Sequence, residues 1–231
     1  MAKKYKPKKQ LNYQPKKKEK YQAIGFRPSK VLVITLAILL SVGLVGSALI
    51  GPVMAYFQGQ GQIGASNTYE SAIEYYQGII ANNPDDIENR RNIGNTYFKW
   101  GMDYYNQGNQ AGDVSMIMEA ESKFMEAESQ YEQVLAADPE HPANYQTLGN
   151  QAVIYFYTER TELAIETAEE VLEMDPKFYP NVMNYAIFLG NGKGEYLEAI
   201  NYLEEIPVTA DEYENAQNLI NSFNQQAVET K

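Results

Sequence analysis

The sequence predicts an all-α fold in which a solenoid of helical hairpins follows a single transmembrane helix. Two features support this fold: a long uncharged apolar stretch near the N-terminus, and a spacing that recurs three times between residues 72 and 186. The absence of cysteine excludes a disulfide scaffold and a cysteine-ligated metal site.

Charge divides the chain into a basic head and an acidic body. Residues 1–30 contain eleven Lys and Arg and one acid, Glu19. The other 201 residues therefore hold 19 − 11 = 8 basic and 30 − 1 = 29 acidic residues. The head carries +10 and the body −21, which indicates two compartments or two different partners.

The apolar stretch covers residues 31–57 and contains no charged residue. A helix needs roughly 20 apolar residues to cross a bilayer, so this segment is predicted to span a membrane. Because Lys and Arg cluster on its N-terminal side, the positive-inside rule places residues 1–30 in the cytoplasm and the body outside. No Asn-x-Ser/Thr acceptor occurs, which favours a bacterial plasma membrane.

Two alternatives remain open at this end of the chain. Val53, Met54 and Ala55 fit a signal-peptidase site, and cleavage after Ala55 would give a secreted protein. The basic tail is either a plain topology signal or a contact for anionic lipid head groups. Its interleaved tyrosines are a weak signal for RNA, and no nucleic-acid partner is expected.

Small residues recur along one face of the predicted span, at Gly43, Ser47 and Gly51. Such a strip lets another helix approach closely, so it predicts a homodimer or a subunit of a membrane complex. Residues 58–66 have the Gly/Gln composition of a flexible tether.

Three segments of the body share one spacing, and each ends in an Asn-Pro or Asp-Pro stop that a helix cannot pass. In each case a small residue follows the first alanine at an offset of 22, from 94 − 72, 149 − 127 and 186 − 164. The three segments are Ala72–Tyr76–Ile79–Pro84, Ala127–Tyr131–Val134–Pro139 and Ala164–Ala168–Val171–Pro176.

These residues resemble the tetratricopeptide repeat. Ile93, Gly94 and Tyr97 stand at the Leu-Gly-x-x-Tyr positions of its first helix, and Leu148 and Gly149 repeat them. The resemblance covers about residues 68–206 and implies a solenoid of helix pairs within a domain of 67–231, beginning with a half repeat. A helix at about 210–227 is expected to cap the array.

The length variation lies inside the repeats. The family would put about 12 residues between Gly94 and the next alanine, whereas Ala127 follows after 33. This insertion predicts a projecting hairpin over about 98–125, with a turn at 106–112. Four methionines are expected on its outer surface as adaptable apolar contacts, namely Met102, Met116, Met118 and Met125.

The resemblance implies a groove lined by the first helices, where extended peptides of partner proteins bind. The groove residues expected are Arg91, Asn95, Phe98, Lys99, Gln146, Asn150 and Asn184. Arg91 and Asn95 suit the first two positions of the carboxylate clamp found in some members. Thr147, Pro180 and Asn184 depart from the remaining positions, so a complete clamp is not expected. The alternative is that these are ordinary solvated side chains.

No catalytic, cofactor or metal site is predicted. The single His141 has no second histidine or cysteine beside it, and the carboxylates follow solvated helix faces. The sequence therefore predicts an adaptor or chaperone-like scaffold that binds proteins, with an accessory subunit of a membrane complex as the alternative. The layout is similar to that of the ancillary tetratricopeptide subunit of the bacterial Sec translocon.

Overall fold

The computed structural model describes residues 66–229, and the regular elements of this part are helices without any strand. The all-α prediction is thereby confirmed for these residues. The helices are α1 (Ser66–Asn82), α2 (Ile87–Ala111), α3 (Val114–Ala137), α4 (Asn144–Tyr157), α5 (Thr161–Met174), α6 (Tyr179–Ile187), α7 (Tyr196–Glu204) and α8 (Tyr213–Glu229). A π-helical turn, Phe188–Lys193, continues α6.

Several predicted features lie outside the described residues. These are the basic tail (1–30), the apolar span (31–57) with its Gly43, Ser47 and Gly51 strip, and the tether up to residue 65. Among α1–α8, no helix combines the length and apolar character needed to cross a membrane.

Consecutive helices pack against each other as a series of hairpins. The most extensive contacts join α2 to α3 and α4 to α5, and α6 with its π-helical turn packs on α7. Each second helix also contacts the first helix of the following pair, as α3 does α4 and α5 does α6. At the two ends, α1 packs on α2 and α8 packs on α7. This arrangement agrees with a tetratricopeptide-type solenoid.

The Asp-Pro stops end the helices where the sequence predicts. Helix α3 ends before Asp138, whose backbone N–H donates to the Val134 carbonyl. Helix α5 ends in the same way before Asp175, whose N–H donates to the Val171 carbonyl. In both cases proline is the next residue and provides no N–H to extend the ladder.

The α2–α3 hairpin is the longest element, with 25 and 24 residues against 14 each in α4 and α5. Its turn is shorter than the sequence predicts, because α2 continues through Ala111. Gly112 ends the helix in the left-handed region, at φ 65°, and Asp113 caps α3 by accepting the Ser115 N–H. The predicted turn at 106–112 is therefore mostly helix.

Glycines let the α2 and α3 backbones approach closely. A Cβ atom on Gly94 would lie 2.6 Å from Cε1 of Tyr131, and one on Gly101 would lie 2.6 Å from the Phe124 ring. At Gly108 it would lie 3.0 Å from Cγ1 of Ile117 and from the Asp113 carbonyl. Tyr131 and Phe124 are almost completely buried, so their rings have no room to move away.

The glycine of the next hairpin has a different environment. The sequence places Gly149 at the same repeat position as Gly94, where two helices are expected to cross tightly. A Cβ atom on Gly149 would meet Phe178 at an ordinary 3.5 Å, and no contact below that distance. The expected tight crossing is therefore present at Gly94 and absent at Gly149.

This difference gives a matched pair of variants. Gly149→Ala should raise the free energy of unfolding by up to about 1 kcal/mol, because alanine has the higher helix propensity and space is available. Gly94→Ala should lower it by about 1–3 kcal/mol, because the methyl group would overlap the buried Tyr131 ring. Chemical denaturation monitored by circular dichroism measures both. Equal effects at the two positions would contradict the close approach at Gly94.

Candidate peptide-binding groove

Arg91 is the first predicted groove residue, and the structure places it in a buried polar cluster. Its side chain is only 6% exposed. The Nε atom donates to Oγ1 of Thr147 at 3.1 Å, and one terminal nitrogen donates to the Glu88 carboxylate. The other terminal nitrogen lies 3.3 Å from Nδ1 of His141 and 3.5 Å from Oδ1 of Asn144.

This cluster joins α2 to α4 and the turn before it. Nδ1 of His141 also accepts the backbone N–H of Ala143 at 3.1 Å, and Nε2 lies 3.5 Å from Glu88. Thr147 and Asn144 are each 1% exposed. The expectation that Arg91 offers its charge to an acidic ligand is therefore corrected, since its guanidinium is engaged inside the protein.

Asn95 and Asn150 form a second polar network around Tyr131. The Tyr131 hydroxyl donates to Oδ1 of Asn95 at 2.8 Å. Nδ2 of Asn150 donates to the same oxygen at 3.2 Å and to the Tyr131 hydroxyl at 3.1 Å. Burial raises the pKa of Tyr131, so the phenol stays protonated and keeps donating. Both asparagines are partly exposed.

Phe98 and Lys99 are adjacent in the sequence but differ in burial. Phe98 is 1% exposed and packs against Phe124, with ring centroids 6.2 Å apart, so it belongs to the core rather than to a groove surface. Lys99 is partly buried, and this burial lowers the pKa of its ammonium group below the ordinary value.

The groove residues of the later helices are more accessible. Gln146 is exposed, and its Nε2 donates to the Tyr145 hydroxyl at 3.1 Å. Asn184 on α6 is partly exposed. The predicted set therefore separates into two buried residues, Arg91 and Phe98, and five that reach the surface to different degrees.

The methionines of the α2–α3 hairpin also separate by burial. Met118 is 57% and Met125 64% exposed on α3, whereas Met116 is partly buried. Met102 is 4% exposed and lies in the main core, so its predicted place on the outer surface is corrected.

An aromatic cluster that the sequence does not single out fastens α1 to α2. Tyr69 stacks on Trp100 with a centroid distance of 5.6 Å, and its hydroxyl donates to Oδ2 of Asp103 at 2.6 Å. Burial, reinforced by this hydrogen bond, raises the pKa of Tyr69. Nζ of Lys123 lies 4.1 Å from the Trp100 ring centroid. The helical spacing of Tyr97, Trp100 and Tyr104 indicates an apolar face, but not that α1 covers it.

The comparison with known families concerns the centre of this array. Residues 145–178 match the tetratricopeptide repeat family. The matching segment covers nearly all of α4, all of α5 and the turn before α6. No curated protein matches the chain.

The match supports the resemblance drawn from the sequence. Tetratricopeptide repeats are typically non-catalytic scaffolds for protein–protein interactions, and no enzyme family is indicated. Within residues 66–229, no group of three or more His, Asp or Glu side chains is placed to hold a metal ion.

The position of Arg91 predicts a structural role that its neighbour lacks. Arg91→Ala should lower the free energy of unfolding by about 2 kcal/mol or more, because buried Thr147 and Asn144 would lose a charged donor. Arg90→Ala is the matched control: its hydrogen bond to Gln133 is exposed, so a loss below about 1 kcal/mol is expected. Urea denaturation compares the two. A larger loss for Arg90→Ala would refute this reading of the cluster.

Proposed function

We propose that this chain is a membrane-anchored adaptor that binds segments of other proteins on the extracytoplasmic face. The observation that carries the proposal is the tetratricopeptide match at 145–178, within an array of packed helical hairpins. Arrays of this type bind their partners along the surface of their first helices.

The surface of the first helices suits an extended peptide. Asn95, Gln146, Asn150 and Asn184 carry amide groups that both donate and accept, so they match the alternating donors and acceptors of a peptide backbone. The Asn95–Tyr131–Asn150 hydrogen bonds fix two of these amides before any ligand arrives, which lowers the entropy cost of binding.

The sequence supports the anchoring part of the proposal. An uncharged segment of 27 residues, 31–57, follows eleven basic residues, and the body after it is strongly acidic. This order favours a cytoplasmic N-terminus and an exported array. The same layout is similar to that of the ancillary tetratricopeptide subunit of the Sec translocon.

Membrane fractionation of cells that express the full chain tests the anchor. The protein should stay in the pellet after alkaline carbonate extraction, and external protease should degrade the array but spare an epitope in residues 1–30. The double variant Leu39→Arg/Leu44→Arg should lose this retention, because each charge in the bilayer costs about 2.5–3.5 kcal/mol. If the intact mass shows that the mature protein begins at Tyr56, the anchor is refuted.

Peptide selection on the purified full chain tests the groove. Peptides selected from a random display library should bind about tenfold more weakly to Gln146→Ala/Asn184→Ala, because two amide hydrogen bonds are lost. The matched control is Asn224→Ala/Gln225→Ala, which removes the same chemistry from the exposed face of α8. If both double variants bind alike, the groove does not contact the peptide.

A further inference from the structure

Helix α1 exposes residues that the equivalent helices bury. Ala72, Tyr76 and Ile79 are all partly accessible. Their counterparts in the second helices of the next two hairpins are all 0% exposed: Ala127, Tyr131 and Val134 in α3, and Ala164, Ala168 and Val171 in α5.

The difference follows from what covers each helix. Helix α2 packs on α3 and α4 packs on α5, and Gly94 of α2 lies directly against Tyr131 of this stripe. Helix α1 occupies the position of a second helix, and within residues 66–229 no first helix precedes it. Tyr75, three residues after Ala72, widens the accessible face and is 66% exposed. At the N-terminal edge of the array, α1 therefore presents an apolar face in the place where a first helix would pack.

If residues 31–57 span a membrane, as in the proposed function on which this inference rests, the chain has too few residues left before α1 to supply the missing first helix itself. A first helix such as α4 has 14 residues and needs a turn after it. Only the eight residues 58–65 lie between the apolar span and α1. If residues 31–57 cross the membrane, the covering helix must come from another molecule.

The short segment between the apolar span and α1 limits where the covering helix can come from. Eight residues reach at most about 28 Å even when fully extended, since each adds roughly 3.5 Å. The face on α1 is thus held near the bilayer. A helix that lies next to the membrane in a partner protein is within its reach.

The negative charge of residues 66–86 indicates which kind of helix can bind beside α1. Residues 66–86 contain four acids, Glu70, Glu74, Asp85 and Asp86, and no Lys or Arg. A second copy of this segment and an anionic lipid surface would both be repelled, whereas a basic helix would be attracted. Close packing beside Tyr76 also requires a small residue on the incoming helix, as Gly94 provides for its counterpart Tyr131.

We infer that the α1 face formed by Ala72, Tyr75, Tyr76 and Ile79 binds a basic amphipathic helix from the juxtamembrane region of another membrane protein. The incoming helix completes the half repeat: it supplies the first helix that residues 66–229 lack before α1 and places a small residue against Tyr76.

A peptide of residues 87–101 is a suitable probe, because this first helix has Gly94, three basic residues and one acid. With fluorescence anisotropy on the full chain in detergent, saturable binding is expected. Tyr75→Glu should weaken it about tenfold or more, through lost apolar contact and added negative charge. Val208→Glu, at a valine 73% exposed outside this face, should leave it unchanged. A Gly94→Leu peptide should also bind about tenfold more weakly.

Equal binding to the Tyr75→Glu and Val208→Glu chains would overturn the inference. A photoreactive residue at position 75 of the full chain in membranes identifies other occupants. Crosslinks to residues 31–65 of the same chain, to a second copy or to lipid would each overturn it, whereas transfer to the added peptide supports it. Because peptide binding is measured in detergent, its failure is distinct from failure of the anchor, which fractionation detects.

Discussion

The close approach of the α2 and α3 backbones is the constraint on which the hairpin depends. Gly94, Gly101 and Gly108 are spaced by seven residues along α2. Their contacts on α3, Tyr131, Phe124 and Ile117, are spaced by seven in the opposite direction. Because seven residues make nearly two helical turns, each series stays on one face. Side chains of α3 therefore fill the space that the missing Cβ atoms leave, and the pairing fixes the antiparallel register over the whole hairpin.

This register explains how an insertion inside a repeat leaves the array intact. The extra residues lengthen both helices, and the glycine contacts continue along them. The last ring contact with α4 joins Tyr105 to Tyr157, whose ring centroids lie 4.5 Å apart. Near the start of α2, Tyr131 also hydrogen-bonds Asn95 and Asn150, so the residue that packs against Gly94 also orders two of the amides predicted to line the groove.

The sequence was sufficient to predict the order of the helices, but not which other helices bury their side chains. Asn/Asp-Pro stops and the 22-residue offset are local patterns, so they located α3, α5 and the match at 145–178 correctly. Burial of Arg91 and Phe98 depends on Thr147 of α4 and Phe124 of α3, which lie more than twenty residues away along the chain. The polar run 106–112 resembles a turn, yet only Gly112 adopts the left-handed conformation. Periodicity likewise cannot tell the tight site at Gly94 from the roomier one at Gly149.

A double-mutant cycle on Gly101 and Phe124 tests the central constraint most directly. Gly101→Ala alone should destabilise the protein, because its methyl group would overlap the Phe124 ring. In a Phe124→Leu background the same change should cost less by about 1 kcal/mol or more, since the smaller side chain leaves room. The free energies of unfolding of the four proteins give this coupling. Additive effects would contradict the account, because they would mean that the glycine and the ring do not meet.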